Sequence, residues 1–176
     1  FHCRQPGEES ELPTLAEACG QAAELGFDAV EIFAADAESF PTAELKELLA
    51  AHRLSLAAVG TGAGWVCRQL SLVDPDPDVR ARAIRFIEGM IDTAAGFSAP
   101  AILGSMQGRS SGEVPLADAR QLLAEALNTL GERAARHGQV FLYEPLNRYE
   151  TDLFTRQVEA AAFLDQHRLR HVKLLC

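Results

Sequence analysis

Clustered histidine is missing from this sequence. The five histidines are His2, His52, His137, His167 and His171. His52, His137 and His167 fall near the expected C-termini of helices, where an imidazolium suits the dipole. The five do not form the cluster that a multi-histidine zinc centre needs. The four cysteines, Cys3, Cys19, Cys67 and Cys176, are as scattered. No pair has zinc-knuckle or dithiol spacing, and a chain of this length has no need of disulfide staples, so reduced thiols and a cytoplasmic protein are expected. Basic charge is scarce too, with 16 Lys and Arg against 25 Asp and Glu and a net charge of −9. That balance repels phosphate backbones and anionic lipid, so neither nucleic acid nor a membrane surface is an expected partner. A neutral sugar or a divalent cation is compatible with it. No apolar run approaches the ~20 residues of a membrane span, and no signal peptide opens the chain.

What is present is a core. Hydrophobic residues make up 48% of the 176, enough for one globular domain. Short β-like runs at 27–33, 54–59, 99–103, 140–143 and 172–175 alternate with helical periodicity. Leu15, Ala18, Cys19 and Ala22 share one helical face, as do Leu45, Leu48 and Leu49 after Pro41. Asp76 and Pro77 form a helix start, a capping residue followed by proline at the first helical position. The stripe Val79, Ala83, Phe86, Ile87, Met90, Ile91 and Ala94 follows. Another helix runs from Pro115 to Gly138, and a last one from about Thr155 to His167. Strict alternation implies parallel strands joined by right-handed crossovers. The glycines at 60–64 follow a later strand, and the next helix expected after them is about a dozen residues on, so they make no dinucleotide fingerprint. Long polar loops after the strands fit a (β/α)8 TIM barrel better. Five strands are clear and a sixth is expected near Phe1 to Cys3. The chain opens at Phe1 without methionine and stops at Cys176 inside an apolar run. The expectation is a single domain over 1–176, truncated at both ends, an incomplete piece of about five to six β/α units. Its unpaired edges point to instability alone or to a homo-oligomer.

The segment 140–150 carries most of the chemistry. Strand alternation sends Val140, Leu142 and Glu144 to one side and Phe141 and Tyr143 to the other. If the aromatics face the helices, Glu144 lies inside the barrel at its C-terminal rim. A carboxylate at the end of an apolar strand is costly without a partner. It is either half of a structural ion pair or part of a site, and rim carboxylates of barrels belong to sites. Pro145 ends the strand, and Asn147, Arg148 and Glu150 crowd the loop after it as candidate substrate contacts.

The motif EPLNRYE at 144–150 resembles the fifth-strand motif of the sugar phosphate isomerase/epimerase family, the xylose-isomerase-like TIM barrels with ketose 3-epimerases and hydroxypyruvate isomerase among them. The resemblance extends to GFDAVE at 26–31, VGTG at 59–62, DPDP at 74–77 and ILGSMQGR at 102–109. It implies a divalent metal such as Mn2+ or Mg2+ held by two glutamates, an aspartate and a histidine. Glu144 matches the first glutamate, as both catalytic residue and metal ligand, and Glu150 matches a position that contacts substrate hydroxyls. The aspartate is expected directly after Cys176. The implied reaction is isomerisation or epimerisation of a small sugar or hydroxy-ketone, by proton transfer next to a carbonyl through an enediolate.

Other residues carry weaker signals. Glu31 is expected inside the barrel, and alternation offers Lys173 as its structural partner; a Schiff-base role for Lys173 is the alternative. Trp65 either stacks on a sugar or is an ordinary half-buried tryptophan. Gln107 and Arg109 follow the strand at 99–103 and are candidate substrate contacts. His2 alone could lie at a strand's catalytic end. The scattered histidines and the acidic charge argue against the superfamily's zinc-dependent abasic-site endonucleases. Two further readings stay open: an inosose-type dehydratase, and a sugar-binding barrel without turnover.

Overall fold

A computed structural model describes residues 13–176; His2 and the strand expected near Phe1 to Cys3 fall outside them. Five strands form one parallel sheet in sequential order: β1 (Ala29–Phe33), β2 (Ser55–Gly60), β3 (Ala101–Leu103), β4 (Phe141–Tyr143) and β5 (Val172–Leu174). The helices are α1 (Leu15–Glu24), α2 (Thr42–His52), α3 (Ala63–Arg68), α4 (Pro77–Ala95), α5 (Leu116–Arg136) and α6 (Gln157–Gln166), with a 3-10 turn at Ser105–Gln107. All five expected strands are present. The sheet with its helices is an incomplete piece of a (β/α)8 barrel, and β1 and β5 each have one edge without a partner strand among the described residues.

Helix starts follow local chemistry. Thr14 and Glu17 make a reciprocal capping box at α1, with the Thr14 N–H donating to Glu17 Oε2 at 2.8 Å and Thr14 Oγ1 accepting from the Glu17 N–H at 3.2 Å. Asp76 caps α4 by accepting from the Asp78 N–H at 2.8 Å, with Pro77 in the first turn. Each such cap stabilises its helix by about 1 kcal/mol. The apolar stripe of α4 (Ala83, Ile87, Met90, Ile91, Ala94) and that of α5 (Leu123, Leu127, Leu130) are buried in the layer between helices and sheet. Burial of each large aliphatic side chain contributes roughly 1.5–3 kcal/mol.

The two faces of the sheet are distinct. Ile32, Val59, Ala101, Leu103, Phe141 and Tyr143 point to the helices and belong to the main core. A bulge between Val30 and Glu31 keeps β1 in step with β2, so that Glu31 pairs with Ala58 and Phe33 with Gly60. Parallel register continues one row across the opposite, concave face: Phe33, Gly60, Ile102, Leu142, Lys173. Ala58 and Ile102 are buried yet lie outside the main core cluster, as residues of that second face should.

Two local differences from the sequence reading stand out. The glycine-rich stretch after β2 is no open loop, because α3 starts at Ala63. Gly64 is packed so closely that an added Cβ would meet Met106 Sδ at 2.4 Å. Cys67 is disulfide-bonded, which corrects the expectation of fully reduced cysteines, whereas Cys19 and Cys176 are free. No helix among the described residues is long and apolar enough to cross a membrane.

Candidate active site

Glu144 follows directly on β4, its N–H donating to Leu103 O at 3.0 Å. The side chain is half-buried, whereas its neighbour Tyr143 is fully buried on the helix side. Glu144 therefore lies on the concave face at the C-terminal end of the strands, as alternation requires. Its carboxylate rests against Gly104 at the end of β3, where an added Cβ would stand 3.2 Å from Oε2. Glycine at that position leaves the carboxylate its room.

Beneath Glu144 lies a buried polar clamp. The Gln107 side chain, wholly buried on the 3-10 turn, donates through Nε2 to Glu144 O at 2.9 Å and to Gly104 O at 3.0 Å. Its Oε1 accepts from the Tyr143 hydroxyl at 2.8 Å. Gln107 was expected to line the substrate mouth. The structure instead buries it with both N–H donors engaged, so it holds the Glu144 backbone. Burial pushes the Tyr143 hydroxyl pKa far up, so the phenol stays a donor.

Asn147, Arg148 and Glu150 stand together in the turn after Glu144, all exposed. Asn147 Oδ1 accepts from the Tyr149 N–H at 2.9 Å, and its Nδ2 donates to Glu150. Arg148 donates to the Tyr149 hydroxyl at 2.9 Å and stacks on that ring. The turn is tied to the loop after β3. Thr151 Oγ1 donates to Gly108 O at 2.7 Å, and Ser110 donates to Asp152 from N–H (2.8 Å) and hydroxyl (2.6 Å). Arg109 is exposed in that loop. Trp65 is 38% exposed on α3, the helix that packs against the 3-10 turn through Gly64 and Met106. A cleft of about 400 Å3 between the loop after β1 and α4 contains neither Glu144 nor any of these residues.

Glu31 is on the concave face, but the Lys173 partner is a correction. No ion pair joins them, and β1 and β5 lie at opposite edges of the sheet. Alternation names the face, not the distance around a curved sheet. The charge that Glu31 does feel is that of Glu144. Partial desolvation first, then repulsion from Glu144, raises its carboxyl pKa above the ordinary glutamate value. Two carboxylates thus share one concave space. Phe33, two residues beyond Glu31, shares it too and was missed, although the alternation that placed Glu31 also carries Phe33.

Among the described residues no three His, Cys, Asp or Glu side chains converge as metal ligands. Glu144 alone falls far short of the about six oxygen ligands a Mg2+ or Ca2+ ion takes. The described residues therefore do not make up a metal centre by themselves.

An E. coli (strain K12) 3-dehydro-D-guloside 4-epimerase is 32% identical over 56 residues, covering 32% of this chain and 21% of the relative. The crystal structure of a 3-keto-D-glucoside 4-epimerase from E. coli superposes with a TM-score of 0.77 at 22% identity, over 95% of this chain and 65% of that one. A D-allulose 3-epimerase from Methylomonas sp., in complex with D-allulose, gives 0.74 at 25% identity, over 90% and 55%. The chain thus spans less than two-thirds of the length of each. Residues 19–176 match the family described as xylose isomerase-like TIM barrel, and the chain belongs to that family.

Proposed function

We propose that the protein is a sugar epimerase or isomerase that moves a proton next to a carbonyl, with Glu144 as the proton-transferring base. The observation that carries this reading is the placement of Glu144: a carboxylate at the C-terminal end of a barrel strand, beside Gly104, its backbone clamped from below by Gln107. Catalytic groups of this architecture lie at that face, and a base held on a rigid strand end reaches its proton at little reorganisation cost. The kinship with epimerases of keto-sugars supports the substrate class.

Glu144 would remove the carbon-bound proton adjacent to the substrate carbonyl, leaving an enediolate. Protonation of the same carbon on its opposite face gives an epimer, and protonation of the neighbouring carbon gives an isomer. The epimer's new proton comes from a second acid, while Glu144 keeps the one it removed. Glu31 faces the same space and holds its proton to higher pH than an ordinary glutamate, so among the described residues it meets that requirement. Asn147, Arg148 and Glu150, exposed on the adjoining turn, are the proposed contacts for substrate hydroxyls, with Arg109 and Trp65 on neighbouring elements. The divalent cation that the family resemblance implies would draw its other ligands from outside the described residues.

The test is incubation of the full protein with ketoses and keto-glycosides in D2O, followed by NMR. Deuterium entering next to the carbonyl is the expected result. Sugar binding without deuterium entry would replace this reading with a non-catalytic sugar-binding barrel.

A further inference from the structure

Phe33 is a large apolar side chain in an unusual place. It ends β1 on the concave face, 46% exposed, two residues beyond Glu31. Its ring lies across Gly60, its register partner on β2. A Cβ built on Gly60 would come within 2.1, 2.3 and 2.8 Å of three consecutive ring atoms. No other side chain could let the ring down so far. Gly104 clears the end of β3 beside Glu144 in a similar way. The concave face therefore presents an aromatic platform on one side, a carboxylate on the other, and floor positions kept low by glycine. The ring has no hydrogen-bonding group, so it discriminates against the hydroxyl-bearing edge of a sugar. What it favours is a flat C–H surface, whose hydrogens are polarised by neighbouring oxygens and suit the negative face of the ring.

We propose that Phe33, seated on Gly60, is the specificity-determining platform of the site, and that it receives the C–H face of a closed pyranose ring bearing the keto group. The assignment rests on the epimerase or isomerase reading above. A closed ring offers a planar set of C–H bonds to stack, which a flexible open-chain ketose does not hold in place.

The experiment compares wild type with Phe33→Ala, Phe33→Tyr and Gly60→Ala of the full protein. The substrates are methyl keto-pyranosides, whose rings stay closed, and free ketohexoses. Deuterium exchange gives kcat and KM, and saturation-transfer NMR reports contact between aromatic side-chain protons and the sugar. Phe33→Ala should raise KM for the methyl keto-pyranosides about tenfold, with kcat nearly unchanged and a smaller effect on the ketohexoses. Phe33→Tyr, which keeps the ring face but adds a hydroxyl at its edge, should raise KM less than Phe33→Ala. Gly60→Ala, which displaces the ring without removing it, should reproduce the alanine phenotype in a folded protein. KM values for the pyranosides within twofold of wild type in both Phe33→Ala and Gly60→Ala would overturn the assignment while leaving the catalytic reading intact. Binding without exchange in wild type would sink the catalytic reading alone; Phe33 would then be judged by loss of saturation transfer in Phe33→Ala. A wild-type protein that neither binds nor exchanges any of these sugars would overturn both.

Discussion

Replacing Gln107 by alanine should destabilise the protein by about 3 kcal/mol, far more than removal of a polar side chain from a surface loop. The side chain is fully buried and makes three hydrogen bonds. Gly104 O keeps a second donor, the Gln107 backbone N–H at 3.1 Å, so its loss is small. The Tyr143 hydroxyl and Glu144 O lose their partner outright, at about 1–3 kcal/mol for each orphaned buried group. Tyr143→Phe removes only the hydroxyl and orphans Gln107 Oε1, for about 1–2 kcal/mol. In the double variant the orphaned hydroxyl no longer exists, so the two losses should fall short of additivity by about 1 kcal/mol. Urea unfolding of wild type, both single variants and the double measures this cycle. Additivity within about 0.5 kcal/mol, or a Gln107→Ala cost below about 1 kcal/mol, would refute the clamp. The clamp also predicts that Gln107→Ala lowers exchange activity more than Tyr143→Phe, because only the former frees the Glu144 carbonyl.

Three further outcomes follow from particular contacts. Gly104→Ala puts a Cβ at 3.2 Å from Glu144 Oε2 and should lower exchange about tenfold through a displacement of a few tenths of an ångström. Leu127→Ala, at a fully buried position of α5, should cost about 2–5 kcal/mol in denaturant unfolding. Asp92 on α4 accepts from Arg133 on α5 and from His137, the residue that follows that helix. Its carboxyl pKa is lowered chiefly by Arg133, with partial burial opposing and His137 adding. A depressed folded-state pKa means that the stabilisation is present above the unfolded value of about 3.9 and is lost as pH falls through the folded value. Asp92→Asn should therefore cost up to about 1 kcal/mol at neutral pH, limited by solvent screening, and the gap to wild type in melting temperature should close below about pH 4.

The fold was legible because its signals are local and repeated. Five apolar runs separated by helical periodicity leave few alternatives to a parallel α/β arrangement, and Asp76 with Pro77 marks α4 to the residue. Four of the five observed strands are shorter than the apolar runs, β2 being the exception. Pro100, for example, has no N–H to give to a ladder, and β3 begins after it. The short helix α3 was not legible, since Gly62 and Gly64 disfavour helix and only packing under Met106 selects it. The same limit applies to the site. Alternation put Glu144, Glu31 and Lys173 on the right face, but the separation of β1 from β5 is a property of the whole sheet. The role of Gln107 depends on a 3-10 turn that aims it back beneath β4, and no spacing rule predicts such a turn.

The most direct test of the central claim is the exchange rate of Glu144→Gln against wild type, in the full protein and in D2O, on whichever sugar of the panel wild type labels fastest. The account predicts a loss of about 10²- to 10⁴-fold with the melting temperature preserved, because the amide fills the same space beside Gly104 but cannot take the proton. A variant that labels the sugar within about twofold of the wild-type rate, well inside the loss expected on removing a general base, would contradict it.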